Sequence, residues 1–475
     1  MLHGIKKVGH RMREVHVLRR IVVWGFSLIF SVILVIIFFL WIFPRLPISA
    51  GGLAKAQAYM LASRKIFAFA LFRNDTVVEG VSAKDIVKKI VQDRVDEQYL
   101  YTGGHYTDFY VRNLGTFANK LIEPSAADSA DEWLERLDLV VRSTELAMRV
   151  FSFYDEITTT IVQLENGRYV PINVYVAPSD SLSSLLRVMY QVPRMSADSA
   201  PFVLSTEERE RFFELQGRMY DLRSTYRTFV ISQVERFEKE NVAENGLLRD
   251  EVKLSGIKDA WVRHSSLYDN VMLWGMYYYG AEAGIAPEWK ERADKVKQVL
   301  IDLYWDEENG IFYDENPKFV DEQYFSADNL ITFDFGMLSV ESEGEREMLE
   351  GIVRYIRSRN LDEPFPLRTT EVRKPNKEHL PVRIFAPNYI GTTIWSYWGM
   401  VYINLLNDLS IYYPEDYYDV AARSYLDVYS RNIIRYGGFP ELYHPNGEQY
   451  RLVAYRSVND MIWGIYYLYL RDEVP

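Results

Sequence analysis

Residues 264–304 read HSSLYDNVMLWGMYYYGAEAGIAPEWKERADKVKQVLIDLY. Apolar residues recur there at helical spacing over 266–283 and again over 287–304. A short segment with Gly284 and Pro287 separates the two runs, as turn residues do. Working outward, the same spacing predicts helices near 52–72, 83–96, 107–123, 129–153, 206–241, 328–340, 344–358, 388–408, 415–433 and 454–471. Loops rich in Gly, Pro, Asn and Asp lie between them, such as 306–310 and 437–447. About a dozen helices in sequential pairs predict a mainly α fold, an (α/α)6 toroid with an inner ring of helices inside an outer one. A superhelical array of helix pairs is the alternative, but no fixed-length internal repeat supports it. The centre of a toroid is a natural cleft, because inner-helix ends and their loops converge there.

One stretch departs from the helical pattern. Residues 156–176, EITTTIVQLENGRYVPINVYV, are β-branched and alternating around Glu165-Asn166-Gly167. That is a β-hairpin signal. It predicts a small β excursion from the helical body, over about 156–204.

The N-terminus carries a different signal. Residues 21–43, IVVWGFSLIFSVILVIIFFLWIF, contain no charge and no Pro. As a helix of ~23 residues the run spans about 34 Å, enough for the ~30 Å hydrocarbon core of a bilayer. It is too long for the apolar region of a signal peptide. Pro44 and Pro47 end it. Lys6, Lys7, Arg11, Arg13, Arg19 and Arg20 precede it, and Arg45 and Lys55 follow. The positive-inside rule then places tail 1–20 in the cytoplasm and the bulk of the chain outside. The expected organisation is a basic tail (1–20), a transmembrane helix (21–43), a stalk (44–52) and an ectodomain (53–475). The expected location is the cell membrane, in a single pass.

Composition bounds the partners. The net charge is −12, and basic residues cluster mainly in the tail, so no nucleic-acid partner is expected. With no cysteine there is neither a disulfide nor a thiolate metal site. His105, His264, His379 and His444 of the ectodomain have no paired ligand spacing, and no phosphate loop or G-x-S-x-G elbow is present. No metal or cofactor is expected. Aromatic residues make up 15% of the chain, with 35 Tyr. They serve core packing, or a carbohydrate cleft in which ring faces stack on sugar faces.

Glycoside hydrolysis needs an acid for the leaving oxygen and a second carboxylate for water or direct attack. The carboxylates to consider are therefore those in aromatic, Gly-rich loops. Glu441 is the first, in GGFPELYHPNGEQY (437–450), where Gly437 and Gly438 free the backbone and Tyr436, Phe439 and Tyr443, the last a substrate-binding candidate, surround the acid. Its plain alternative is a helix-capping loop residue. Asp269 follows Tyr268, a substrate-binding candidate, near a helix start, where Ser265, Ser266 or Asp269 itself could instead be a cap. In HYTDFYVRNLGTF (105–117), Asp108 and Arg112 are four apart. They form an ion pair on one helix face, or with Asn113 they bind sugar hydroxyls. Asn388, Tyr389 and Trp395, in FAPNYIGTTIWSYWG (385–399), would line a sugar subsite, or form a helix start with buried aromatics. Asp328, in SADNLITFDFG (326–336), is a further sugar-binding candidate.

Together these segments resemble the six-hairpin glycoside hydrolases: trehalases, processing α-glucosidases, mannosylglycerate hydrolases and alkaline/neutral invertases. GGFPELYHPNGEQYRLVAYRSVNDMIWGIYYL (437–468) is similar to the Pro-Glu-Tyr loop and closing helix of that group. The resemblance implies that Glu441 is a catalytic base. SLYDN (266–270) resembles its Ser-Gly-Trp-Asp-Asn, which implies that Asp269 is the catalytic acid. FYVRNLGTF (109–117) and NYIGTTIW (388–395) resemble substrate-binding segments of the invertases. Asn113 stands where an Asp is usual, and Leu267 where a Gly is usual. On the invertase alignment the acid position falls on His264. The resemblance implies an inverting hydrolase that acts on an oligosaccharide or surface glycan. A degenerate carbohydrate-binding or scaffolding component, or a structural protein with a plugged ring, would carry the same fold.

Overall fold

The computed structural model describes residues 51–72, 77–95, 99–104, 106–124, 129–174, 176–254, 256–258, 261–452 and 455–473. Residues 21–43, the expected anchor, lie outside them. Among the described residues no helix is long and apolar enough to cross a membrane.

The helices form two rings. The outer elements are Ala83–Val95, Ala130–Tyr154, Thr206–Asn241, Trp289–Tyr304, Glu343–Ser358 and Tyr418–Tyr436. The inner elements are the short pair Asn113–Thr116 and Ala118–Ile122, then Ser181–Arg194, Leu267–Glu282, the 3₁₀ and α turns over Ala327–Asp334, Ser396–Ser410 and Gly464–Glu473. Each inner element packs on the next, and Gly464–Glu473 packs on Ala118–Ile122, which closes the ring. Gly464–Glu473 also packs on Ala83–Val95, so the end of the chain returns to the start of the body. The architecture is mainly helical and consistent with an α/α-barrel-type fold.

The sequence explains which helices take which ring. Trp289, Ala293, Val296, Leu300 and Tyr304 are the buried residues of their helix, three or four apart. That is a single apolar stripe facing inward. Leu267–Glu282 is buried on every side from Leu267 to Tyr277. A helix apolar all round belongs inside a core.

Six inner elements are tied together by one polar knot. Arg187 donates to the carbonyl of Gly115 at 2.6 Å and to that of Asp334. Tyr397 and Tyr466 donate to the two carboxylate oxygens of Asp334 at 2.8 and 3.1 Å. Tyr279 donates to the neighbouring Phe335 carbonyl at 2.5 Å. Arg187 and Asp334 are both buried, so each depends on the other's charge and on these bonds. The ring centre is therefore filled at this level.

The β-hairpin is present. Thr160–Gln163 pairs antiparallel with Tyr169–Ile172, and the turn passes through Gly167 at φ +80°. Phe109–Tyr110 adds a third strand. Ala54, Ala58, Leu61 and Ala62 of helix Gly51–Phe72 bury against Val162, Leu164, Val170 and Ile172. Gly51 and Gly52, the last two residues of the expected stalk, belong to this helix.

Several expected boundaries need correction. Ser181–Arg194 is a buried inner helix, not part of a β excursion reaching 204. Its Ser-rich start and Pro193 hid it, since both weaken helix propensity. Residues 107–123 do not form one helix, and the last two inner helices begin at Ser396 and Gly464 rather than 388 and 454. The segments before those starts carry apolar residues that face a cavity, which mimics a helical stripe.

Asp408 offers a test of packing energetics. It lies in the last turns of Ser396–Ser410, where the helix dipole disfavours an anion. Burial raises its pKa from 3.8 to about 6, against the opposing charge of Lys120. A carboxyl whose folded pKa is raised loses stability as pH rises through about 4 to 6. The full linkage amounts to ~3 kcal/mol, and solvent screening of a half-buried group reduces it to ~1–2 kcal/mol. Asp408→Asn should therefore stabilise the protein by that amount at pH 7 and by nothing at pH 3.5. Urea denaturation at the two pH values checks this, and an equal effect at both would refute the cause.

Candidate active site

A cavity of about 310 Å³ opens among the starts of the inner helices. Arg112 and Asn113 enter it from the start of Asn113–Thr116, Trp395 from just before Ser396–Ser410, and Met461 and Trp463 from just before Gly464–Glu473. Tyr106, Tyr110, Tyr389, Tyr455 and Glu441 complete the interior. Pro381, Val382, Phe385 and Ala386 line its remaining side with Ile257.

The local backbone explains how Glu441 arrives there. Helix Tyr418–Tyr436 ends on Gly437 in the left-handed region, at φ +59°. At Gly438 a Cβ would stand 2.0 Å from the Asn459 carbonyl oxygen, so only glycine fits. The chain then pairs on both sides. The Glu441 amide donates to Val458 at 2.8 Å, and its carbonyl accepts from the Ser396 amide at 3.1 Å. Strands Ile394–Trp395 and Leu442–Tyr443 pair antiparallel. This pairing brings Trp395 and Glu441 to one wall.

Both oxygens of the Glu441 carboxyl are engaged. Tyr389 donates to Oε1 at 2.7 Å and Tyr455 to Oε2 at 2.9 Å. Burial, reinforced by the Glu441 charge, pushes both phenols well above the usual tyrosine range, so they remain donors. A carboxyl that already accepts at each oxygen is arranged as an acceptor of protons rather than a donor. Asn113 Nδ2 donates to Thr102 Oγ1 at 2.7 Å. Trp395 donates from Nε1 to the Tyr389 carbonyl at 2.9 Å, which fixes its ring.

Arg112 is held from behind. Its Nε stands 3.3 Å from Asp180 Oδ2, and its Nη1 donates to the Gly256 carbonyl at 2.6 Å. Tyr268 donates to the same Asp180 oxygen at 3.1 Å. Burial raises the Asp180 pKa, and Arg112 counteracts it. Asp180 has no counterpart among the sequence candidates. It precedes the hidden helix Ser181–Arg194, and detecting that helix would have been the signal. Tyr455 and Trp463 were missed because the segment before Gly464 reads as helix.

Of the expected site residues, Arg112, Asn113, Tyr389, Trp395 and Glu441 line the cavity together. The others are placed elsewhere. Asp269 lies in the first turn of its helix and is tied to the cap: Ser266 Oγ accepts from the Asp269 amide at 3.1 Å and donates to Asp269 Oδ2 at 2.6 Å. Among the described residues its Oδ1 is buried without a hydrogen bond. Gly256 lies over it, since a Cβ there would stand 3.2 Å from Oδ1. Ile257, the next residue, faces the cavity. Tyr268 is fully buried on Asp180. Asp108 is paired with Lys65 at 2.5 Å, not with Arg112, because 107–112 is not helical. Asn388 closes its own loop by accepting from the Thr392 amide at 2.9 Å. Tyr443 is buried against Phe365, with ring centroids 5.0 Å apart. Asp328 belongs to a buried ion cluster with Arg263, Lys258 and Asp314. His264 stacks on Phe319 at 4.1 Å and does not line the cavity.

No family model matches the sequence, and no curated protein does. Solved structures do match. A rhamnosidase from Klebsiella oxytoca with rhamnose bound superposes with a TM-score of 0.50 at 12% identity, over 84% of this chain and 65% of that one. A wild-type glycosidase gives 0.51 at 11% identity, over 82% and 96%. A sugar epimerase from a ruminal bacterium gives 0.50 at 12% identity, over 87% and 98%. The chain shares the fold of these structures. At such identities the likeness is one of fold, and the chemistry has to be argued from the site.

Proposed function

We propose that this chain is a membrane-anchored glycoside hydrolase that acts with inversion on an oligosaccharide or surface glycan outside the cytoplasm. The observation that carries the reading is Glu441, a buried carboxylate at the wall of an aromatic cavity with a phenol donor on each oxygen. In this role Glu441 takes a proton from the water that attacks the anomeric carbon. Arg112 and Asn113 bind sugar hydroxyls, and the rings of Trp395 and Trp463 cover an apolar sugar face. The motif likeness to the trehalase, α-glucosidase and invertase group supports Glu441 as base and Asp269 as acid. The apolar run 21–43 and its basic flank support the anchor.

Asp269 then protonates the leaving oxygen. Gly256–Ile257 stands between it and the cavity, so the role requires substrate to displace that segment. The test uses the full chain with a panel of oligosaccharides, following by NMR the anomer first released. An inverted anomer is expected, and a retained one would sink the mechanism. Asp269→Asn should lower kcat by ~10²–10⁴, because general acid catalysis contributes that much. Aryl glycosides with good leaving groups need little protonation, so they should recover most of the loss. Equal losses on both substrate types would remove Asp269 from the acid role.

The state of Asp269, bonded to Ser266 and covered by Gly256, favours a second reading, binding without turnover. Saturable sugar binding with no release from any bound glycan supports it.

A further inference from the structure

The wall of the cavity continues outward as an apolar surface. In the short helix Leu380–Phe385, Leu380, Ile384 and Phe385 are 57%, 59% and 59% exposed. Pro381 and Val382 of the same helix line the cavity, and Phe385 does both. The polar groups lie at the opposite extreme of burial: Glu441 and Asn113 are 2% and 3% exposed. Polar recognition therefore sits inside, and at the rim stand aliphatic and aromatic side chains with one exposed cation, Arg383.

A further ring of a free oligosaccharide can stack one apolar face on Phe385, but it leaves the aliphatic Leu380 and Ile384 in water. An aliphatic chain on the anomeric oxygen would cover them. We infer that the substrate is a glycoside with an apolar aglycone, as in a membrane glycolipid, whose sugar enters the cavity and whose chain lies on Leu380, Ile384 and Phe385. The inference rests on the sugar-binding reading of the cavity. The expected anchor points the same way, since it would keep the chain at a bilayer surface, where such glycosides are concentrated.

The test compares methyl and hexyl glycosides of glucose, galactose, mannose and rhamnose. They are titrated by calorimetry into the full chain in lipid nanodiscs, with empty nanodiscs as the blank. For the sugar that binds, the hexyl form should bind at least tenfold tighter and with a more negative heat-capacity change, the mark of buried apolar surface. Phe385→Ser should bring the hexyl-to-methyl ratio close to one. Ile384→Ser, at an exposed position that does not line the cavity, should reduce it in part. Equal affinity of the two forms overturns the inference, leaves the sugar reading standing and turns the rim into a candidate protein contact. Binding of neither form overturns both.

Discussion

Replacing Glu441 by Gln is expected to lower kcat by ~10²–10⁴, the contribution of a positioned general base, while KM changes little. Gln has the same shape and can accept one of the two phenol hydrogen bonds, so the cavity wall stays in place. It cannot take a proton from water. The loss should therefore fall on turnover and spare sugar binding. Calorimetry on the variant, beside reducing-sugar release, separates the two effects. Full hydrolysis by the variant would remove Glu441 from the base role. Loss of binding without loss of turnover per bound sugar would assign it to recognition. Circular dichroism controls for folding.

The second large effect falls on stability. Arg187→Met should destabilise the protein by ~3–5 kcal/mol, the usual cost of removing one partner of a buried charge pair. Met fills much of the space but leaves the Gly115 and Asp334 carbonyls without their donor. The Asp334 carboxylate would then keep only neutral phenol donors, Tyr397 and Tyr466. Because the knot joins all six inner elements, the damage spreads around the ring. For a domain of this size the midpoint should fall by on the order of 5 °C. Tyr397→Phe removes one bond from the same knot and should cost only ~1–2 kcal/mol. A midpoint for Arg187→Met within 1 °C of the parent would show that the ring holds without the knot.

The helical character and the pairing were legible because the outer helices carry a single apolar stripe. Trp289, Ala293, Val296, Leu300 and Tyr304 illustrate it. The hairpin at Gly167 was legible from its turn residues. The Glu441 loop was legible because Gly437 and Gly438 serve local needs, a left-handed cap and a close backbone approach. Short-range rules suffice for such features.

Where the readings diverged, long-range packing decided. Asp269 and Asp328 carry the same functional group as Glu441, a carboxylate, in similar aromatic surroundings in sequence. Tertiary contacts bury one under Gly256 and lock the other onto Arg263 and Lys258. Asp108 lies four residues from Arg112, yet their partners are Lys65 and Asp180.

The sequence by itself thus determined the helical pairs, the hairpin and the loop that presents Glu441, because periodicity, turn chemistry and glycine conformation act over a few residues. Only the tertiary structure decided ring closure, the Arg187–Asp334 knot and which carboxylate faces the cavity. Each of those depends on residues brought together from distant parts of the chain, and nothing in local spacing encodes which buried charge finds which partner.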